Sequence, residues 1–486
     1  MSQSPTFQPA TDHLSLGEAF FTPVEPAPFP ETILRYSNTR WADRLGLHGL
    51  GDEGWIRHFG RFESLKGSLP KPIALKYHGH QFRHYNPDLG DGRGFLFAQM
   101  RDPEGGRLLD FGTKGSGQTP YSRAGDGRLT LKGGVREVLA TTRLEALGVN
   151  TSKTFALVET GEALHRGDEP SPTRSSVMTR LSHGHIRIGS FQRPYFLQEQ
   201  ENLEALLEYA CQTYAPAIHR AAYENEGGRG AADAAPLFLR WVGRNCAHTV
   251  ADWFAAGFVH GVLNTDNINI TGESFDYGPY RFLEKMDPNR VAAYFDHSGL
   301  YAFGRQPEAV YWNLQQLATV LVTMGDQDAI IEALKGYSDC LSAAVEDRLF
   351  RRLGLAATGH SEVDQPFLKN LLAVLRTSSV PLDDTLHRAF GGREWPGGED
   401  WSDLRDQAKD FEPVDANRLT HSYFQRSSAC SLVYDEIEAL WTPIADRDDW
   451  SEFEKKLAET EDMRTAYAFE PETADDGSHA LTFFSA

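Results

Sequence analysis

The sequence predicts a bilobal α+β fold: a β-rich first lobe, a helical second lobe, and extra elements before and after them. Three observations predict it. Between about 71 and 190, short β-like runs alternate with glycine-rich loops around one helical pattern. From about 198 onward, apolar residues recur at helical spacing instead. Residues 260–267 then read His-Gly-Val-Leu-Asn-Thr-Asp-Asn, with Asp276-Tyr277-Gly278 nine residues after Asn267. A chain of 486 residues also exceeds the size at which a single core stops growing, so division into lobes is expected.

In chain order, residues 1–70 read as an N-terminal extension packing on the first lobe, with prolines crowded between Pro23 and Pro30. Residues 71–197 make up the first lobe, with β-like runs at 94–100, 107–114 and 154–159. A helical pattern opens near Gly134 and closes at Gly148, a residue suited to a helix C-cap. Residues 198–330 form the second lobe. Leu203, Leu206 and Leu207 share one helical face, and Val242, Cys246, Val250, Trp253 and Phe254 share another. The segment 225–235 reads as a loop. Helices beginning at Tyr311 run on through 367–375 and 450–461, so 331–486 is expected to be a C-terminal helical region packed on the second lobe. The tail, 470–486, is acidic and then apolar, with little structural signal.

Composition excludes several classes. The 68 acidic residues outnumber the 48 basic ones, giving a formal charge of −20, which argues against a nucleic-acid partner. No apolar run approaches the roughly 18 residues that span a bilayer, so no membrane partner is expected. The N-terminus lacks a basic stretch followed by an apolar core. Cys211, Cys246, Cys340 and Cys430 lie far apart with no C-x-x-C pair, which argues against zinc and against a disulfide framework. A reducing, cytoplasmic setting is the simplest reading.

The chemistry begins with the 260–278 pattern. A protein-kinase catalytic loop reads H-x-D-x-x-x-x-N, followed by D-F-G. The spacing from His260 to Asn267 is kept, and Asp276 stands where the second metal-binding carboxylate belongs. The usual base position holds Val262, which cannot accept a proton, while Asp266 appears beside the metal-binding Asn267. The chain thus keeps a kinase-like metal site and moves or loses the base. Asn267 and Asp276 are oxygen ligands suited to Mg²⁺. Asp266 could take a proton from an attacking hydroxyl, its plainer role being a loop cap.

Upstream, Lys114 ends a β-like run and Glu137 follows on the predicted helix. Alone, the two read as a surface salt bridge; ahead of the 260–278 pattern, they read as the Lys–Glu pair that positions phosphates in kinases. Asp110-Phe111-Gly112 also spells D-F-G but precedes the catalytic-loop pattern, so Asp110 reads as structural. Glycine-rich loops at 89–94 and 114–128 carry Arg93, Arg123 and Arg128 around Lys114, a composition that suits phosphate. No Walker A motif occurs. Arg180 and Arg187 could face an anionic ligand, although their spacing alone favours a solvated face. His183, His185 and His260 match no zinc motif and read as structural.

Four stretches resemble the selenoprotein O family, called YdiU in many bacteria: GHQFRHYNPDLGDGRG (79–94), KGSGQTPYSRAGDGR (114–128), VREVLATTRLEALGV (135–149) and HGVLNTDNINITGESFDYGP (260–279). The resemblance covers about 70–310. It implies a protein-kinase-like pseudokinase that binds ATP in a flipped orientation, transfers AMP to Ser, Thr or Tyr hydroxyls of protein substrates, and releases pyrophosphate. Carried over, it implies Asp266 as proton acceptor and Asn267 and Asp276 as ligands of Mg²⁺, with Mn²⁺ the alternative. It implies Gly90, Gly92, Arg93, Lys114, Asp126, Gly127, Arg180 and Arg187 as nucleotide contacts, joined by Asp276, and Glu137 as partner of Lys114. Family members often carry a redox-active Cys or selenocysteine near the C-terminus, whereas the last cysteine here is Cys430. The alternatives are a catalytically inactive nucleotide-binding scaffold and an ordinary protein kinase. Val262 argues against the kinase; the retained Lys114, Asn267 and Asp276 argue against the scaffold.

Overall fold

The computed structural model describes residues 5–167, 169–469 and 475–482. Its fold is mixed, a nine-stranded antiparallel sheet with helices. Seven strands form the path Phe21–Pro23, Ile73–Leu75, Leu96–Arg101, Leu108–Lys114, Thr173–Ser182, Lys153–Leu164 and Ile33–Ser37. Gln8–Ala10 joins beside Leu96–Arg101, and Leu129–Thr130 beside Thr173–Ser182. Leu108–Lys114 is buried along its whole length, so both of its faces are covered. Trp55, Phe59, Phe97, Phe111 and Phe155 pack together in one core cluster. Val135, Val138 and Leu139 of the helix Leu131–Ala146 pack with Leu157 and Met178 in another.

That helix has legible ends. The Thr130 hydroxyl accepts from the Gly133 N–H at 3.1 Å, satisfying one of the donors left free at a helix start. At the other end, Gly148 lies at φ 78°, its N–H reaching the Glu145 carbonyl and that of Val149 the Leu144 carbonyl. This paired closure needs a left-handed residue, hence glycine.

Two expectations need correcting. The first seventy residues do more than lie against the sheet: Gln8–Ala10, Phe21–Pro23 and Ile33–Ser37 belong to it. Strands of three to five residues are too short for periodicity to register, and Pro23 sits on an edge, where a missing N–H is tolerated. The expected loop 225–235 is shorter, because the helix Ala231–Ala255 takes its last five residues. The Asp233 carboxylate accepts from the Arg229 backbone N–H and Nε, both at 2.9 Å, and alanines carry the helix onward.

The rest of the chain is mainly helical, including Gln200–Tyr214, Gln306–Leu321, Gln327–Leu353 and Ser361–Thr377. Between helices, 260–280 is an irregular loop tied at its base by the short ladder Phe258–Val259 with Arg281–Phe282. A second small ladder pairs Gly79–Gln81 with His84–Asn86. In the tail, Ser478–Leu481 forms a helical turn, and 470–474 and 483–486 lie outside the described residues. The four cysteines are unpaired thiols. No helix among the described residues is long and apolar enough to cross a membrane.

Because the Thr130 cap anchors the helix that carries Glu137, Thr130→Ala is expected to lower unfolding stability by about 1 kcal/mol. Urea denaturation measures this, with Thr130→Ser keeping most of the loss in hand; equal midpoints for wild type and Thr130→Ala would reject the cap.

Candidate active site

Lys114 ends the central strand, and Glu137 lies on the helix packed over it, so the pair separated by 23 residues meets at 2.6 Å. Asp276 approaches the same ammonium at 2.9 Å. Arg180, on the neighbouring strand opposite Gly112, adds contacts of 3.3 Å to Asp276 and 3.6 Å to Glu137. Two cations and two carboxylates thus meet, three of them buried and Asp276 partly exposed, and burial at such cost is tolerated only when the charges are paired. Burial by itself would raise the Asp276 carboxyl, but Lys114, Arg180 and Arg93 outweigh it and hold the group well below the usual carboxylate range. Asp276 has φ 64°, a left-handed conformation that aspartate tolerates better than most residues.

Arg187 is the second organiser. Its guanidinium donates to the Tyr77 hydroxyl at 2.9 Å, the Asp266 carbonyl at 3.2 Å and the Asp91 carboxylate at 3.2 Å. It lies 4.3 Å from the Tyr77 ring centroid and 5.1 Å from that of Phe275. Arg180 and Arg187 do not lie on the solvated face that their spacing alone favours: each is buried against carboxylates from distant segments.

Asp266 itself is buried, and its Oδ1 has no hydrogen-bond partner. Burial raises its carboxyl to about 6, with Arg187 opposing the rise and Asp276 adding to it. Its neighbours are fixed from outside the loop. The Thr265 hydroxyl accepts from the His80 N–H and donates to Gln192 Oε1, each at 2.7 Å. Asn267 Nδ2 donates to the Val262 carbonyl at 3.0 Å, which leaves the amide oxygen for a cation. His260, fully buried, donates from Nε2 to the Phe275 carbonyl at 2.9 Å, linking the two motif halves, and burial lowers its pKa so that the ring stays neutral. The ionised Asp276 and the Asn267 amide are hard oxygen donors of the kind Mg²⁺ takes, so these residues could hold it.

The glycine-rich loops meet face to face. The Gly115 N–H donates to the Arg93 carbonyl at 2.7 Å, and Ser122 Oγ donates to the Gly92 carbonyl. A Cβ on Gly90 would lie 2.5 Å from the Tyr121 ring, and one on Gly127, at φ 70°, 2.2 Å from the Gly117 backbone. Glycine is required there by loop packing as well as by any ligand. Between the loops and the segment that carries Asp266 opens a cleft of about 610 Å³. Gly90, Gly92, Arg93, Asp126, Gly127 and Asp266 line it, whereas Lys114, Glu137, Asp276 and Arg180 form the charge cluster alongside. Asp126 is engaged by Arg166 at 2.8 Å, and Arg128 by Glu162 at 2.9 Å, so neither loop charge is isolated. Asp110 is structural as expected, accepting from Gln99 Nε2 at 2.7 Å in the core.

Sequence reasoning missed Tyr77, Gln81, Asp91 and Arg166. Asp91 had a signal, a carboxylate between two glycines in a loop already singled out; the other three had none.

The family model described as "Protein adenylyltransferase SelO" matches residues 4–391. The chain belongs to the SelO family. Among its SelO relatives is "Protein nucleotidyltransferase YdiU" of Synechocystis sp., 43% identical over 473 residues that cover 92% of this chain and 96% of that protein. The protein of the same name from Gloeobacter violaceus is 41% identical over 468 residues, covering 90% and 92%. That from Vibrio cholerae is 36% identical over 368 residues, covering 74% and 70%. SelO membership thus rests on nearly the whole chain, well beyond the four short stretches.

Asp266 makes a stability prediction of its own. A carboxyl whose pKa is raised on folding binds its proton more tightly in the folded state, so stability is fully present below the unfolded value near 3.8 and is lost as pH rises through about 6. Asp266→Asn removes that burden and is expected to stabilise the protein at pH 7.5 by on the order of 2 kcal/mol, with the gain shrinking toward pH 4. Thermal unfolding of both proteins at the two pH values measures it; a destabilised variant at pH 7.5 would contradict the burial argument.

Proposed function

We propose that this protein transfers AMP from ATP to Ser, Thr or Tyr hydroxyls of protein substrates, with release of pyrophosphate. Family membership supports the activity. The observation that carries the reading is Asp266, buried, unpartnered at Oδ1, and lining the same cleft as both glycine-rich loops. A kinase-like bilobal frame accommodates the order of these elements, with a first lobe that runs to 197 and takes in the sheet strands of the first seventy residues, a second lobe over 198–330 and a helical region over 331–486. In that frame ATP lies reversed, its α-phosphate toward Asp266 and its β- and γ-phosphates among the arginines.

The acceptor hydroxyl oxygen attacks the α-phosphorus, the bond from that phosphorus to the α–β bridging oxygen breaks, and pyrophosphate departs. The hydroxyl proton passes to Asp266, whose raised pKa suits a base working near neutral pH. Lys114, oriented by Glu137, and Arg180 hold phosphate oxygens, and Arg187 both steadies the Asp266 backbone and faces the same charge. Gly90, Gly92 and Gly127 let backbone approach the nucleotide, with Arg93 and Asp126 at the rim. Asn267 and Asp276 would hold Mg²⁺, or Mn²⁺, which neutralises phosphate charge when bound. Four unpaired thiols fit work in the cytoplasm.

Labelled ATP tests this directly. With Mg²⁺ present, label from the α-phosphate is expected on protein and label from the γ-phosphate is not. Protein labelled only from γ means a kinase, and bound ATP with no label means a scaffold. Asp276→Ala is expected to cut transfer by at least about 100-fold; full activity would reject its assignment. Because the base must be ionised, kcat/KM is expected to fall about tenfold per pH unit below about 6, a limb absent from the residual activity of Asp266→Asn.

A further inference from the structure

Four aromatic side chains stand open to solvent near the cleft: Tyr195 (43%), Phe196 (52%), Tyr294 (76%) and Phe295 (44%). Scattered exposed apolar residues are ordinary, but a joined set marks an interaction surface. Phe196 and Phe295, with Tyr294 packed on Phe295, are joined by the small hairpin. At its turn, the Phe82 ring lies 5.7 Å from that of Phe295; on its return strand, Tyr85 stacks on Phe196 at 5.0 Å.

The hairpin is fastened to the loop that carries Asp266. The His80 N–H donates to Thr265 Oγ1 at 2.7 Å, and the Phe82 N–H to Asn264 Oδ1 at 3.0 Å. A Cβ on Gly79 would lie 3.3 Å from that of Asp266, and Gln81 lines the cleft with it. The turn is also strained. Its two central residues, Phe82 and Arg83, have φ 50° and 65°, positions that hairpins of this kind usually give to Asn and Gly. Such strain persists where the side chains are in use. Phe82 packs on Tyr301 at 5.0 Å, and Arg83 lies over Trp312 at 5.6 Å while pairing with Glu308 at 3.2 Å.

We infer that this aromatic surface is the docking platform for the acceptor polypeptide, taking extended segments that carry an apolar or aromatic side chain within a few residues of the hydroxyl. The inference rests on the adenylyl-transfer reading above. A polypeptide acceptor is the occupant that fits, because the hairpin beneath these rings is bonded to the Asp266 loop and its Gln81 lines the cleft with Asp266, so a chain lying on the rings runs alongside the cleft. A second copy of this chain seated there would instead close the approach.

The test uses synthetic peptides of equal length with one Tyr or Ser, flanked either by Leu and Phe or by Gly and Asn, together with α-labelled ATP. Wild type is expected to label the apolar-flanked peptides with a kcat/KM at least about tenfold higher, the scale of burying one large side chain. The triple variant Phe196→Ser, Tyr294→Ser, Phe295→Ser is expected to lose that preference while keeping its ATP affinity and melting temperature. No preference in wild type, or an undiminished one in the variant, overturns the platform. A variant that merely turns from dimer to monomer in sedimentation, with peptide kinetics unchanged, assigns the surface to a second copy and also overturns it. Wild type that moves label to no peptide and no protein brings down the adenylyl-transfer reading itself, and the platform with it.

Discussion

Four charges that meet where sheet, helix and loop converge, three of them buried, hold the rest of the site in register. Lys114 comes from the central strand, Arg180 from its neighbour, Glu137 from the covering helix and Asp276 from the same irregular loop as Asp266. Such a cluster is a poor source of net stability, because desolvation offsets most of the attraction. Its value is positional. Loss of any one member leaves a buried charge uncompensated, which costs roughly 3–5 kcal/mol, so the four elements are constrained to one arrangement. Asp276 accepts a left-handed backbone to take part.

The same loop holds a second carboxylate in the opposite environment. Asp276 sits among cations and stays ionised, whereas Asp266 is buried with one oxygen unpartnered and titrates near neutrality. Environments that drive two carboxyls apart divide their labour, one suited to a cation and one to a proton. Arg187 stands between the two regimes. It bonds the Asp266 carbonyl rather than its carboxylate, so it steadies the backbone, and its charge opposes the rise of the carboxyl without cancelling the effect of burial.

Legibility followed distance along the chain. The His260–Asn267 spacing and the helix over Glu137, with its closure at Gly148, could be read because each is a local pattern, although the helix starts at Leu131 behind its Thr130 cap, three residues before the expected Gly134. Arg180 and Arg187 could not be read as buried, because each meets its carboxylate across 96 residues of sequence. The hairpin over the Asp266 loop left no trace, since Phe-Arg is not a turn signature and the strands are three residues long. The edge strands of the first seventy residues were equally silent.

By itself the sequence determined the kinds of atoms at the site: a displaced aspartate, an Asn–Asp oxygen pair, a Lys–Glu couple and two glycine-rich loops. Those are matters of residue identity and short spacing, which local geometry preserves. Only the tertiary structure decided which carboxylate is buried with one oxygen unpartnered, which arginines are enclosed, and which hairpin borders the cleft. These depend on desolvation and on contacts between remote segments, and neither is written in the neighbourhood of any one residue.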